Sequence, residues 1–257
     1  FPGIDVRPEG ELLCVNDPDY TGFDYQIPVG SLGRVFRRSI DDFHDKQKPW
    51  IARNSNAEAR IREQLAIQPR ELLVGVCWQS MNQAASRSRN FVNYRHLETL
   101  NSLNGVRWLN LQYNSTQDDI DKIRECGLDM HHYVDLDQKN DLVGACNLIG
   151  ACELVIWVGV SVADLTGGVG TPMIYIGPVM SELYLGTGQV PWFVNSKFYP
   201  IATNKGDDTL ARIVHDWPEI SQWAECFKSE ERKARDRSGG GAVPLDLEYP
   251  FAGEMVS

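Results

Sequence analysis

LVIWVGVSVADLTGGVGTPMIYIG, residues 154–177, decides the fold. It reads as a strand apolar on both alternations, a tight turn, a short glycine-broken helix and a second apolar strand. That is the pattern of a parallel sheet buried on both faces. A turn of this kind lies at the carboxyl end of a strand, where open α/β sheets take their ligands. Ser161 is placed to N-cap the helix, and free N–H groups near Val160 to Ala163 then point outward as an anion site. A helix dipole contributes only ~0.3–1 kcal/mol per exposed charge and about 2 kcal/mol when partly buried, so a pyrophosphate needs further partners. Gly167, Gly168 and Gly170 let the helix pack close to the sheet and stop before Pro172. A helix packed closely for structural reasons alone would look the same. Asp164, in the first turn, either accepts hydrogen bonds from ligand hydroxyls or merely complements the dipole.

Outward from this unit, short apolar runs alternate with amphipathic stretches from Leu72 to about Cys226. They are LLVGVCW (72–78), YRHLETLNSL, VRWLNLQY (106–113), TQDDIDKIRECG, HHYV and NDLVGACNLIGAC. The rhythm predicts an α/β domain, a Rossmann-like parallel sheet with helices on both faces. DDTLARIVHDWPEISQWAEC reads as a final helix that Pro218 kinks or splits. Three further segments fall at the same sheet edge. CWQSMNQAASRSRNF (77–91) brings Arg87 and Arg89, whose guanidinium groups can clamp a diphosphate without a metal or simply be solvated. VDLDQKNDL (134–142) brings Asp137, Lys139 and Asn140 to meet a base or phosphate, with Asp141 better read as the N-cap of the next helix. The strand end Leu111-Gln112-Tyr113 offers backbone groups and a ring that suit a nucleobase as well as they suit core.

The remaining features bound the function. The chain has 257 residues, 42% of them hydrophobic, enough for one full core and a small second unit. A formal net charge of −10 opposes nucleic-acid or anionic-membrane partners. Six scattered cysteines form no CxxC pair and the five histidines no HExxH, so no metal site and no cofactor are expected. No apolar run approaches the ~20 residues of a membrane span, the start FPGIDVRPEGE lacks a signal pattern, and a cytoplasmic location is the expectation. The chain divides by composition into residues 1–69, the trailing part of another domain and a linker that includes the helix-like NAEARIREQL; residues 70–228, the sheet domain; and residues 229–257, a charged and Gly-rich tail.

VGVCWQS, VRWLNLQY, DLDQKNDL, IGACELVIWVGVSVADLTGGVGTP and PWF (191–193) together resemble the C-terminal domain of heptosyltransferase-like (glycosyltransferase family 9-like) enzymes. They are most similar to bacterial members that carry an N-terminal tetratricopeptide region. FDYQIPVGSLGRVFRRSIDDF resembles the end of the acceptor-side domain, so the likeness covers about residues 23–220. The resemblance implies the C-terminal half of a GT-B architecture, a nucleotide-sugar donor held by this half, and inverting transfer without metal to a glycan, lipid or protein acceptor. Carried over by position, the donor-phosphate turn falls on Gly159, Val160 and Ser161, with the helix starting at Val162. Where the heptosyltransferases commonly show Asp-Thr and then His, this chain has Gly159-Val160 and Asp164. The family's general base belongs to the early N-terminal domain, and residues 1–70 hold no match for it. Two other classes stay open. One is a degenerate domain that binds a nucleotide or a partner without turnover; the other is a serine hydrolase using Ser161 in GVSVA, with Asp207 or Asp208 and His215. No GxGxxG follows the first strand, which disfavours a nicotinamide enzyme.

Overall fold

Six parallel strands form one sheet in the order β3-β2-β1-β4-β5-β6: β1 Leu72–Cys77, β2 Val106–Asn110, β3 Met130–His131, β4 Leu154–Val158, β5 Met173–Gly177 and β6 Ser196–Pro200. The computed structural model describes residues 22, 24–44, 48–79, 91–134, 136–158, 161–178, 185–187, 190–193, 195–201 and 205–237. The chain falls into two units, Phe1–Asp42 and Phe43–Ser257. In the first, a 3₁₀ turn at Val29–Ser31 leads into a helix at Leu32–Phe36 that buries none of its residues. The segment from Phe43 to residue 69 clusters with the sheet-bearing unit.

Every residue of β1, β4 and β5 is buried, as runs apolar on both alternations require. The central pairs are Val74↔Leu154 through Cys77↔Trp157 and Leu72↔Val106 through Val76↔Asn110. One face is covered by α1 (Ser55–Gln64), α3 (Leu142–Ala151) and α4 (Val162–Val169), through Ile61, Leu65, Leu148, Ile149 and Ala163. The other is covered by a 3₁₀ helix (Tyr94–Ser102), α2 (Gln117–Glu125), α5 (Gly206–His215) and α6 (Trp217–Arg237), through Leu97, Leu100, Ile120, Ile213 and Ile220.

Several expectations change. YRHLETLNSL is a 3₁₀ helix, started by Asn93 and His96; its buried residues Leu97 and Leu100 are three apart, the repeat of that helix. HHYV forms only the end of a two-residue strand, Met130–His131. β6 went unread because SKFYP is a partly polar edge strand, with Ser196 and Tyr199 buried and the rest only partly so. The last helix does split, at Asp216, so that Pro218 sits in the first turn of α6, where its missing N–H costs nothing. Asp141 caps α3 as expected, its Oδ1 accepting from Gly144 N at 2.8 Å.

Of the glycines of α4, Gly170 stops the helix before Pro172 as expected, while Gly167 and Gly168 act differently. Gly170 ends the helix in the left-handed region at φ 82°, its N–H bonded to Thr166 O and Gly167 O. The close approach at Gly167 and Gly168, however, is to chain segments packed on the helix: a Cβ on Gly167 would lie 2.0 Å from the Phe193 ring and one on Gly168 2.6 Å from Ile51. Trp50 N and Ile51 N both donate to Gly168 O, at 2.9 and 2.8 Å. At Gly170 an added methyl would stand 2.4 Å from Pro49. Gly170→Ala is therefore expected to cost about 2 kcal/mol, from a strained positive φ and overpacking together. A urea midpoint unchanged from wild type would refute this reading of the turn.

The carboxyl end of α3 gathers buried and half-buried cations, which complement the carbonyls of its last turn. Gly150 O accepts from Lys228 Nζ at 3.0 Å and from Arg53 Nη2, and Arg53 also forks onto Glu58, with Nε to Oε1 and Nη2 to Oε2 both at 2.7 Å. Arg62 Nη1 donates to Ala151 O at 2.9 Å and to both oxygens of Glu153 at 2.8 and 2.7 Å. These bonds tie α1 and α6 to the carboxyl end of α3 and the start of β4. Among the described residues no helix is long and apolar enough to cross a membrane.

Candidate functional site

The strand order reverses between β1 and β4. Chain leaving β1 runs out to β2 and β3 on one face, while β4 continues to β5 and β6 on the other. Carboxyl ends that part in this way leave a crevice, the usual ligand position in open α/β sheets. Beside it lies a cavity of about 230 Å³, lined by Leu111, Tyr113, Gln138, Lys139, Leu142, Ala145, Ile149, Ser161, Val162 and Leu165. The ends of β2, α3 and α4 thus meet at one place.

Ser161 does not cap α4. Its backbone is already helical, at φ −58° and ψ −20°, and its side chain makes no capping bond. A capping hydroxyl needs an extended backbone to fold back onto the first turn. Ser161 is exposed and lines the cavity, and the N–H groups of Val162 and Ala163 have no acceptor among the described residues. Asp164 N and Leu165 N return to Ser161 O at 3.1 and 3.3 Å. An uncapped first turn beside a cavity is suited to an anion. The helical dihedrals of Ser161 also lack the strain of a nucleophile elbow, and His215 is bonded to its neighbour Asp216 at 2.9 Å.

Four of the expected site residues line the cavity: Tyr113, Lys139, Ser161 and Val162. Lys139 is the cation among the described lining residues. Gln112, Asp137, Asn140 and Asp164 stand outside the lining. Gln112 is buried, and its Oε1 accepts from Gln79 N at 3.0 Å and from the Cys77 thiol at 3.3 Å. Burial pushes the Cys77 thiol up to about 12, which keeps it a donor. Asp137 is occupied in its own turn: it accepts from Asn140 Nδ2 at 2.7 Å, Asn140 N at 3.2 Å and Lys139 N at 3.0 Å. Those bonds hold its carboxyl below the ordinary range. Asp164 is exposed on α4, and partial desolvation raises its carboxyl. Arg87, Arg89, Gly159 and Val160 lie outside the described residues.

Gln138, Leu142, Ala145, Ile149 and Leu165 were missed. Leu165 carried a readable signal, since it lies one turn after Ser161 and shares its face. Gln138 gave none, because its place follows from its Nε2 donating to Asn110 O at 3.1 Å.

A parallel sheet in this order, with helices on both faces and its crevice at the reversal, is a Rossmann-like domain of the kind that makes up half of a GT-B glycosyltransferase. The fold is that of the heptosyltransferase-like, family 9 glycosyltransferases. ADP-heptose LPS heptosyltransferase II of E. coli matches 67% of this chain and 53% of its own, with a TM-score of 0.50 and 14% identity. The family 9 glycosyltransferase of Veillonella parvula matches 68% and 54%, with a TM-score of 0.50 and 7% identity. Protein FlbA of Caulobacter vibrioides is 30% identical over 175 residues, 66% of this chain. The chain spans 29% of FlbA and about half of each solved structure. No protein-family profile matches the chain.

Proposed function

We propose that residues 70–228 are the donor-binding domain of an inverting, metal-independent glycosyltransferase, which moves a sugar from a nucleotide-sugar to an acceptor hydroxyl. The observation that carries this is the uncapped first turn of α4 opening on the cavity beside Tyr113 and Lys139, at the reversal of a sheet with the family 9 fold. In this reading the nucleoside occupies the apolar cavity between α3 and α4. The diphosphate lies against Val162 N and Ala163 N, with Lys139, Arg87 and Arg89 as its cations, so that protein charge does the work of a metal. Gly159 and Val160 let the backbone approach the phosphates, and Asp164 and Ser161 serve hydroxyls. Gln112, Asp137 and Asn140 then act by shaping the wall rather than by touching the donor. The acceptor, whether glycan, lipid or protein, and the general base that deprotonates its hydroxyl belong to an acceptor-side or tetratricopeptide region of the full protein, in the cytoplasm.

Thermal unfolding with UDP, GDP, ADP, CMP and dTDP, each with and without chelator, tests the reading. A ligand at about 100 times its Kd adds ~2.7 kcal/mol, and a chain of this size moves ~2–4 °C per kcal/mol. One nucleotide is expected to raise Tm by several degrees, unchanged by chelator. No shift with any of them would leave a degenerate domain as the better reading, and a shift abolished by chelator would refute metal independence.

A further inference from the structure

The polar residues behind the cavity wall form one hydrogen-bonded unit. Asn110 is fully buried at the end of β2, and its Oδ1 accepts from Gln112 N at 2.8 Å. That bond fixes the amide orientation, because the reversed amide would set donor against donor. Both Nδ2 hydrogens are thereby directed: one to Ser115 Oγ at 2.8 Å, the other to His132 Nδ1 at 2.8 Å. Ser115 Oγ donates in turn to Gln112 O. Asn110 O takes the Gln138 amide, and Gln112 reaches Gln79 after β1 and donates from Nε2 to Asn114 Oδ1 at 2.5 Å. Of the cavity-lining residues, Gln138 is bonded to this unit through Asn110 O, and Tyr113 lies in the chain between its members Gln112 and Asn114.

We propose that His132 is a positioning residue for the cavity, holding the 110–115 wall in place only while its Nδ1 carries no proton. As an acceptor from Asn110, Nδ1 must be bare, so the neutral ring carries its hydrogen on Nε2. A proton on Nδ1 turns this contact into two opposed donors, and the buried Asn110 amide loses one of its two acceptors. The wall then loosens at Gln112 and Tyr113. Arg124 of α2 opposes a proton on the ring; next to it His131 lies near Arg107 and Arg124, which also oppose protonation there, and near Asp129, which favours it. Burial first, then Arg124, lowers the His132 pKa. The fold favours the neutral ring, so this contribution is complete above the unfolded value of about 6.5 and is lost as pH falls through the lower folded value.

The proposal rests on the cavity being the ligand site, and two readouts separate the claims. In ¹⁵N spectra of the wild-type protein at pH 7.5, His132 is expected as the Nε2–H tautomer. On acidification the Asn110, Gln112 and Ser115 amide signals should move with its midpoint. A bare Nε2, or amides indifferent to that midpoint, overturns the proposal whether or not any nucleotide binds. Calorimetric Kd for the nucleotide that shifts Tm is expected to rise about tenfold over the same pH interval. His132→Asn, with an amide oxygen where Nδ1 stood, should keep the alkaline affinity and lose the pH step, while His131→Asn should keep the step. A step that survives in His132→Asn and disappears in His131→Asn assigns it to the neighbour and overturns the proposal. Absence of nucleotide binding at every pH removes the donor reading and leaves the tautomer and amide titration to decide for or against His132.

Discussion

Glu153→Ala is expected to lose about 3–5 kcal/mol of folding stability, the cost of breaking a buried ion pair from one side. Glu153 is 5% exposed at the head of β4. It accepts from Leu73 N at 2.9 Å and from Arg62 Nη1 at 2.8 and 2.7 Å, and its own N–H donates to Leu73 O at 2.9 Å. Truncation orphans a fully buried backbone N–H and strands a partly buried guanidinium on the carboxyl end of α3. Both penalties fall where β1 meets β4, the central seam of the sheet. In thermal unfolding the loss corresponds to a fall on the order of 10 °C. Glu153→Gln keeps an acceptor for Leu73 and should lose less. A loss under 1 kcal/mol in Glu153→Ala would mean that water or a side-chain shift satisfies Arg62 and Leu73, and that α1 is not anchored here.

Ser161→Glu is expected to weaken nucleotide binding on the order of 1,000-fold while leaving stability unchanged or slightly raised. A carboxylate in the first turn of α4 is favoured by the dipole, by ~0.3–1 kcal/mol. The same carboxylate stands where the proposal seats phosphate, and two like charges about 4 Å apart repel by roughly 4 kcal/mol at a surface-like dielectric of about 20. Opposite signs on the two axes distinguish a ligand effect from damage to the fold. Ser161→Ala should change stability little, since the hydroxyl makes no capping bond. Titration of both variants with the nucleotide that raises Tm decides the matter: unaltered affinity in Ser161→Glu would mean that the phosphates do not meet this helix end.

The sheet and its parallel sense were legible in the chain because they follow from local pattern. LLVGV, LVIWV and MIYIG are apolar on both alternations, which only a doubly covered strand tolerates, and amphipathic spacing in between dictates helices. Asp141 read correctly as a cap because capping depends on residues within one turn. What the pattern did not carry was decided by contacts between distant segments. Phe193 and Trp50–Ile51, not the sheet, occupy the space that Gly167 and Gly168 leave open. Edge position let SKFYP form β6 without an apolar run. Tyr113, Lys139 and Ser161 come together although 48 positions separate the first from the last, while Gln112, next to Tyr113, turns the other way into the wall. Successive side chains leaving a strand point to opposite faces, and only the packing of α3 and α4 determines which face becomes a cavity and which becomes core.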